Sequence, residues 1–226
     1  PLALRVEGTG QVTGGVVFQS GRVEIQDAGA QIAAGLCQAK PGQTVLDFCA
    51  GAGGKTLALA AQMQNKGRLY VHDSDPKRLR PMAARLKRAG IGIVRQMEGD
   101  AAAGLKSRCQ LVVSDVPCSG SGRWRRAPET KWRLTPKNLN ELVALQKQIL
   151  ADSAAYVAPG GRLAYITCSI IARENEHQIA DFLNTFPEFE IDETVKFANQ
   201  RRRIQLDPHN TDTDGLFCAI MRRNGP

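Results

Sequence analysis

The sequence predicts an α/β fold: a mostly parallel sheet with helices on both faces. Three observations carry that prediction. From residue 44 to residue 222, short apolar runs rich in β-formers alternate with helical patterns. The first run opens directly into a glycine-rich turn, and the second ends on an acid, Asp73. Doubly wound sheets bind ligands beyond the carboxyl ends of their strands, so chemically active residues should cluster just after each run.

The elements follow in order. Thr44 to Ala50 reads as a buried strand, Lys55 to Asn65 as a helix and Arg68 to Asp73 as a second strand. Pro76 to Gly90 reads as a helix with Pro in its first turn and Gly at its end. Ile93 to Met97 and Gln110 to Asp115 are strands, and Pro136 to Val157 is a long helix closed by Pro159-Gly160-Gly161. Arg162 to Thr167 is a strand, Arg173 to Thr185 a helix, and Phe189 to Glu193 and Leu216 to Met221 are closing strands. Residues 1–43 are less regular, with a helix expected from Asp27 to Lys40; they are expected to form an extension packed on a catalytic domain of residues 44–226.

Composition narrows the function classes. With 226 residues and 42% hydrophobic content the chain can bury a sizeable core. No apolar run is long enough to span a bilayer, and Pro1 to Arg5 shows no secretory leader, so a cytoplasmic monomer without membrane partners is expected. The net charge of +8 and isoelectric point near 9.4 attract polyanions. None of the six cysteines forms a C-x-x-C pair and the three histidines have no zinc-finger spacing, so no metal site is expected.

The turn Cys49-Ala50-Gly51-Ala52-Gly53-Gly54-Lys55 follows a strand and opens a helix, as a nucleotide-like cofactor requires for close backbone approach. Gly54-Lys55-Thr56 invites a P-loop reading, and Leu111 to Asp115 imitates the second strand of an ATPase. The P-loop signature, however, needs Gly where Cys49 stands. Asp73, about 20 residues beyond the glycines, suits ribose hydroxyls. Asp100 suits an adenine amino group or is an ordinary loop acid.

Two further strand ends carry cysteines: Asp115-Val116-Pro117-Cys118-Ser119-Gly120-Ser121-Gly122 and Tyr165-Ile166-Thr167-Cys168-Ser169. Cys37, Cys109 and Cys218 read as small core residues. Cys118 and Cys168, each flanked by small polar residues at the ligand edge, are not explained by packing.

These residues resemble the NOL1/NOP2/Sun family of RNA cytosine-5 methyltransferases, which includes bacterial 16S ribosomal RNA enzymes. Asp47 to Thr56 is similar to its cofactor loop, with Ala52 where the family usually has Pro. Asp115 to Gly122, continuing through Arg125 to Trp132, looks like its second cysteine motif. Thr167-Cys168-Ser169 through Glu174-Asn175-Glu176 looks like its catalytic motif, and Asp214 to Phe217 like its closing strand. The resemblance implies a Rossmann-like class I methyltransferase fold, with a seven-stranded, mostly parallel sheet whose last strand is antiparallel. It implies S-adenosylmethionine held or faced by Cys49 to Lys55, Asp73, Asp100 and Asp115. It makes Cys168 the nucleophile and Cys118 a release residue. Pro1 to Arg5 is similar to the start of the family's catalytic domain, which implies an RNA-binding domain before it. Ribosomal RNA is the first expected substrate and transfer RNA the second. A catalytically silent RNA-binding module of this fold is opposed by the presence of both cysteines.

The chemistry suits the residues. Carbon 5 of cytosine becomes nucleophilic only after a thiolate adds to carbon 6, and cysteine both attacks and leaves readily near neutral pH. Asp115 can hydrogen-bond the cytosine edge and balance charge at ring nitrogen 3. The base must leave any stack to be reached. Arg123, Arg125, Arg126, Lys131, Arg133 and Lys137 lie in one segment with Trp124 and Trp132, which suits phosphate contact and base stacking. Arg201-Arg202-Arg203 could extend that patch.

Overall fold

The computed structural model describes residues 3, 4, 6, 11–97, 100–197, 200, 201 and 203–225. The strands are β1 Thr44–Asp47, β2 Arg68–Val71, β3 Val94–Gln96, β4 Cys109–Asp115, β5 Val157–Thr167, β6 Phe189–Ile191, β7 Lys196–Phe197, β8 Gln200–Arg201, β9 Arg203–Leu206 and β10 Leu216–Arg223. The helices are α1 Val16–Gln19, α2 Ala28–Leu36, α3 Gly54–Gln62, α4 Arg80–Arg88, α5 Asp100–Leu105, α6 Glu129–Arg133, α7 Pro136–Ala154, α8 Glu176–Thr185 and α9 Pro208–Thr211.

The main sheet runs β3-β2-β1-β4-β5-β10-β6. Its first five strands pair in parallel, and β10 is antiparallel to both β5 and β6. These seven strands match the expected sheet, and β9 adds an eighth by pairing with Leu216 to Ala219 of β10. β7 and β8 form a separate hairpin.

Side chains alternate across the sheet with the two-residue period of a strand. Val45, Leu111, Val113, Ala164 and Ile166 join Ala33, Leu36 and Cys37 of the α2 region and Leu59, Ala60 and Met63 from and just after α3 in one core. Leu46, Val112, Leu163 and Tyr165 face the other way, against Leu150 and Ala154 of α7 and Ile179 and Phe182 of α8. Cys37, Cys109 and Cys218 are buried in these cores. A fully buried leucine contributes roughly 1.5–3 kcal/mol.

Several elements differ from the sequence reading. Pro76 starts a 3-10 turn that ends at Leu79 before α4 begins, since Pro81 has no N–H for a continuous helix. The segment from Arg173 splits into a 3-10 turn over Ala172–Glu174 and α8, with Asn175 between them. β5 starts at Val157 and carries a register shift where it meets Cys109 and Leu111. Helix α5 and strand β9 were not anticipated; both are short and carry weak periodicity.

The loop after β4 is locked to its neighbours through glycine. Gly122 N–H donates to Cys168 O at 3.0 Å, and Gly215 N–H donates to Gly122 O at 2.8 Å. A Cβ on Gly122 would lie 2.0 Å from the Gly215 carbonyl oxygen, a collision with backbone that no rotamer relieves. Gly122→Ala is therefore expected to destabilise the fold by about 3 kcal/mol. Urea unfolding measures this, and an unchanged midpoint would contradict the close approach.

Candidate functional site

The register of the parallel strands brings their carboxyl ends level. Asp47 is paired with Val113, and Asp115 with Ile166, so the loops after β1, β4 and β5 leave the sheet at one edge. Phe48 N–H donates to Val113 O and Val116 N–H to Ile166 O, which continues the pairing past the strand ends.

The loop after β1 is open backbone. Gly51 has φ +51° and Gly53 φ +85°, both left-handed, and a Cβ on Gly53 would meet Met82 at 2.6 Å. Asp73, only 5% exposed, accepts from Gly51 N at 3.0 Å, from Asp75 N at 3.1 Å and from the Arg78 guanidinium at 3.3 Å. It thus pins the glycine loop to the end of β2, and a carboxylate with about four lone-pair sites retains acceptor capacity. Cys49 is half-buried, and burial raises its thiol pKa. The side chain of Asp100 lies outside the described residues, as do Arg202 and the side chain of Arg201.

Lys55 leaves this loop and reaches across to β4. Its Nζ is 2.6 Å from Asp115 Oδ2. Burial pulls the ammonium pKa down, but Asp115 more than offsets this and the net shift is upward. The buried ammonium thus faces Asp115, and the order β3-β2-β1-β4-β5 is that of dinucleotide-binding sheets.

The two strand-end cysteines meet. Cys118 Sγ and Cys168 Sγ are 3.1 Å apart. A hydrogen bond from Cys118 is the largest influence on Cys168 and lowers its pKa against the cost of burial, with Arg123 and Lys55 also favouring the thiolate. The same bond, with burial, raises the pKa of Cys118. The pair is therefore polarised: Cys168 is the more acidic thiol and Cys118 the one that holds its proton more tightly.

The basic segment is partly self-neutralised. Arg125 Nε donates to Asp214 Oδ1 at 2.8 Å, and Arg126 forks onto the same carboxylate. Those bonds hold Asp214 below the usual carboxylate range despite partial burial. Trp132 is 83% exposed, and Lys131 Nζ lies 5.9 Å from its ring centre and 5.7 Å from that of Trp124. Arg123 is exposed beside Gly120. Among the described residues no helix is long and apolar enough to cross a membrane, and no cluster of His, Cys, Asp or Glu could hold a metal.

Sequence reasoning gave no role to three groups that build this site. Asp214 was seen only as part of a closing motif, Glu174 only as a motif tail, and Gln146 only as one position in a long helix. Gln146 is fully buried, but its polar side chain gave no sign of an inward-facing position.

The sequence model of the 16S rRNA methyltransferase RsmB/F family matches residues 34–222. The chain is 33% identical to ribosomal RNA small subunit methyltransferase B of Cronobacter sakazakii, over 98% of this chain and 52% of that protein. It is 36% identical to the protein of the same name from Yersinia pseudotuberculosis, over 89% of this chain and 47% of that one. The chain thus spans about half the length of the curated relatives it matches. A crystal structure of PH0851 aligns with TM-score 0.87 and 35% identity, covering 96% of this chain and 51% of the other. The structure of NSun6 from Pyrococcus horikoshii with SFG aligns with TM-score 0.84 and 24% identity over 96% of this chain and 57% of the other, a likeness of fold.

A buried acid beneath the site makes stability depend on pH. Asp47 is 1% exposed; its Oδ2 accepts from Thr56 Oγ1 at 2.7 Å, and its Oδ1 has no partner among the described residues. Burial pushes its pKa from 3.8 up to about 7, with Thr56 pulling it back and Asp115 adding to the rise. The folded state thus holds this proton more tightly than the unfolded state does. The resulting stabilisation is complete below the unfolded value of 3.8 and is lost as pH rises through about 7. The loss amounts to at most about 4 kcal/mol. Urea unfolding at pH 5 and pH 8 should show a smaller pH difference for Asp47→Asn than for the native chain, and equal differences would refute the assignment.

Proposed function

We propose that this chain, which belongs to the RsmB/F family of 16S rRNA methyltransferases within the NOL1/NOP2/Sun group, methylates carbon 5 of a cytosine in small-subunit ribosomal RNA. The observation that carries this reading is the polarised thiol pair, Cys168 lowered and Cys118 raised, 3.1 Å apart at adjacent strand ends. The family's cofactor is S-adenosylmethionine.

The residues present fit that cofactor. A Cβ on Gly51 would lie 3.4 Å from the Arg78 guanidinium and 3.9 Å from Asp73 Oδ2, filling a cradle that the bare backbone leaves open. Cys49 to Lys55 would form the wall of the site and Asp73 would accept from ribose hydroxyls. Asp100 and Asp115 would face the cofactor. When bound, the group supplies a methyl carried on a sulfonium.

This chain's residues supply the rest. Cys168 adds to carbon 6 of the flipped cytosine as a thiolate, forming a carbon–sulfur bond and shifting electron density through the ring to nitrogen 3. Asp115, oriented by Lys55, hydrogen-bonds that edge of the base. Carbon 5 then takes the methyl group and afterwards gives its proton to a water molecule in the site. The ring double bond re-forms as the carbon–sulfur bond breaks, and Cys168 departs as a thiolate. Cys118, the protonated partner, serves that release.

The RNA would approach along the segment from Arg123 to Trp132, where Trp132 offers a stacking face and Arg123, Arg125, Arg126 and Lys131 offer phosphate contacts. Residues 1–43 are proposed as an extension of the catalytic domain, since Ala33, Leu36 and Cys37 share a core with β1, β4 and β5.

Two experiments test this reading. Asp73→Ala should weaken S-adenosylmethionine binding at least about tenfold by isothermal titration, as expected for loss of a buried acceptor that also holds the loop. Unaltered affinity would remove Asp73 from the site. On a denaturing gel with labelled 16S ribosomal RNA and S-adenosylmethionine, Cys118→Ala should accumulate a slow-migrating protein–RNA adduct. Cys168→Ala should form none and should not methylate. An adduct from Cys168→Ala instead would reverse the roles, and no adduct from either would defeat covalent catalysis.

A further inference from the structure

The two cysteine loops are joined directly by the bond from Gly122 N–H to Cys168 O and through Ser121 to Ser169 and Ile170, and they also share one buried carboxylate. Glu174 is completely buried. Its Oε1 accepts from Ser119 N at 2.8 Å and from Gln146 Nε2 at 2.9 Å. Its Oε2 accepts from Ser119 Oγ at 2.5 Å and from Ser169 Oγ at 2.5 Å. Ser119 directly follows Cys118, and Ser169 directly follows Cys168.

The surroundings tighten this arrangement. Gln146 Nε2 also donates to Pro117 O at 2.9 Å, the residue before Cys118. The Glu174 carbonyl accepts from Tyr165 Oη at 2.6 Å, on the strand that leads to Cys168. Neighbouring Asn175 accepts from Thr167 Oγ1 at 2.6 Å and donates to Ser169 O at 2.9 Å. Charge-assisted bonds in a dry interior are strong, and four donors on four lone-pair sites leave the carboxylate little freedom to turn.

We propose that Glu174 is a positioning residue for methyl transfer: its carboxylate sets the spacing of the Cys118 and Cys168 thiols by gripping the residue that follows each. Being wholly buried, it does not touch RNA or cofactor. It acts through the serines on the loops that carry the thiols. The inference rests on the reading of these two cysteines as the working groups.

Glu174→Gln tests it with almost no change in volume. A glutamine keeps one acceptor oxygen for Ser119 N and Gln146 but turns an N–H₂ toward the two serine hydroxyls. Ser169 Oγ already accepts from Ile171 N at 3.0 Å and lies 2.9 Å from Ser121 Oγ, so it cannot readily reverse its bond. The grip on the Cys168 loop is therefore lost. Ser169→Ala removes the same bond from its other end and serves as a second variant should Glu174→Gln fold poorly.

Two measurements read the outcome. In single-turnover methylation of 16S ribosomal RNA, each variant should be at least about tenfold slower, with unchanged S-adenosylmethionine affinity and unchanged KM for RNA. The double variant should be slower than either single one by much less than the product of their effects, because both remove the Ser169–Glu174 bond. The second measurement needs neither RNA nor cofactor. Diamide takes one hydrogen from each thiol and is itself reduced to the hydrazine, leaving a Cys118–Cys168 disulfide that peptide mass spectrometry detects. The native chain should cross-link readily, since 3.1 Å needs only a small closure to a bond of about 2.05 Å, and both variants should cross-link several-fold more slowly.

Native cross-linking and methylation rates in both variants would overturn the proposal. So would slow methylation with native cross-linking, since Glu174 would then act otherwise than through thiol spacing. Slower cross-linking in the variants, with no methylation by any form including the native chain, would uphold the positioning role and sink the proposed activity instead.

Discussion

The pairing of β4 against β5 is the constraint on which the site depends. Asp115 sits level with Ile166, so Cys118 lies three residues past one strand level and Cys168 two residues past its neighbour. A shift of one residue in this register would turn every side chain of one strand to the opposite face. Leu111 and Val113 would leave the α2–α3 core and Val112 would leave the α7–α8 core. The burial of apolar side chains on both faces thus fixes the register, and the register fixes the meeting of the thiols. The chemistry inherits its precision from packing that involves no chemistry.

Parallel pairing brings polar groups to one edge, and the protein must then satisfy them where water is wholly or partly excluded. It uses three solutions. Lys55 and Asp115 neutralise each other across the gap between β1 and β4. Glu174 collects four hydrogen-bond donors. Asp47, with one oxygen unpartnered, is driven toward its neutral form. The cost of burying an unpartnered oxygen sets Asp47 apart from the other two: its burial raises its pKa because too few donors offset the lost water. The thiol pair is a fourth case, in which a hydrogen bond between two weak acids raises the pKa of Cys118 and lowers that of Cys168.

Much of this was legible in the sequence. The strand–helix alternation and the two motifs after β4 and β5 are local signals, and they indicated a mostly parallel sheet and the strand ends near which Lys55, Asp73, Asp115, Cys118 and Cys168 lie. What was illegible depends on long-range pairing. Gln146 is one polar position in a long helix, and only the fold turns it onto Pro117 and Glu174. Strand β9 alternates Arg203, Ile204, Gln205 and Leu206, too short a run to stand out without β10 beside it. The ends of α4 and α8 shifted because Pro81 and Asn175 interrupt the backbone in ways that hydropathy does not record.

Asp214 shows why a charge count does not locate an RNA surface. Six basic residues between 123 and 137 suggested a strongly positive segment, yet Arg125 and Arg126 share one buried carboxylate. Together the three groups carry a net charge of +1. The carboxylate is supplied by the residue before Gly215, whose backbone also binds Gly122 in the Cys118 loop. The two arginines are therefore fastened to the same junction that carries the thiols. An exposed basic segment with free side chains would attract RNA and leave its path undefined. Here the ion pairs hold the two arginines beside the site while their side chains stay about half exposed, which under the proposed function leaves them free to meet phosphate. Charge given up to Asp214 lessens long-range attraction but, on the proposed function, fixes where a bound phosphate would lie relative to Cys168, and placement of the reacting base is what that chemistry would need most.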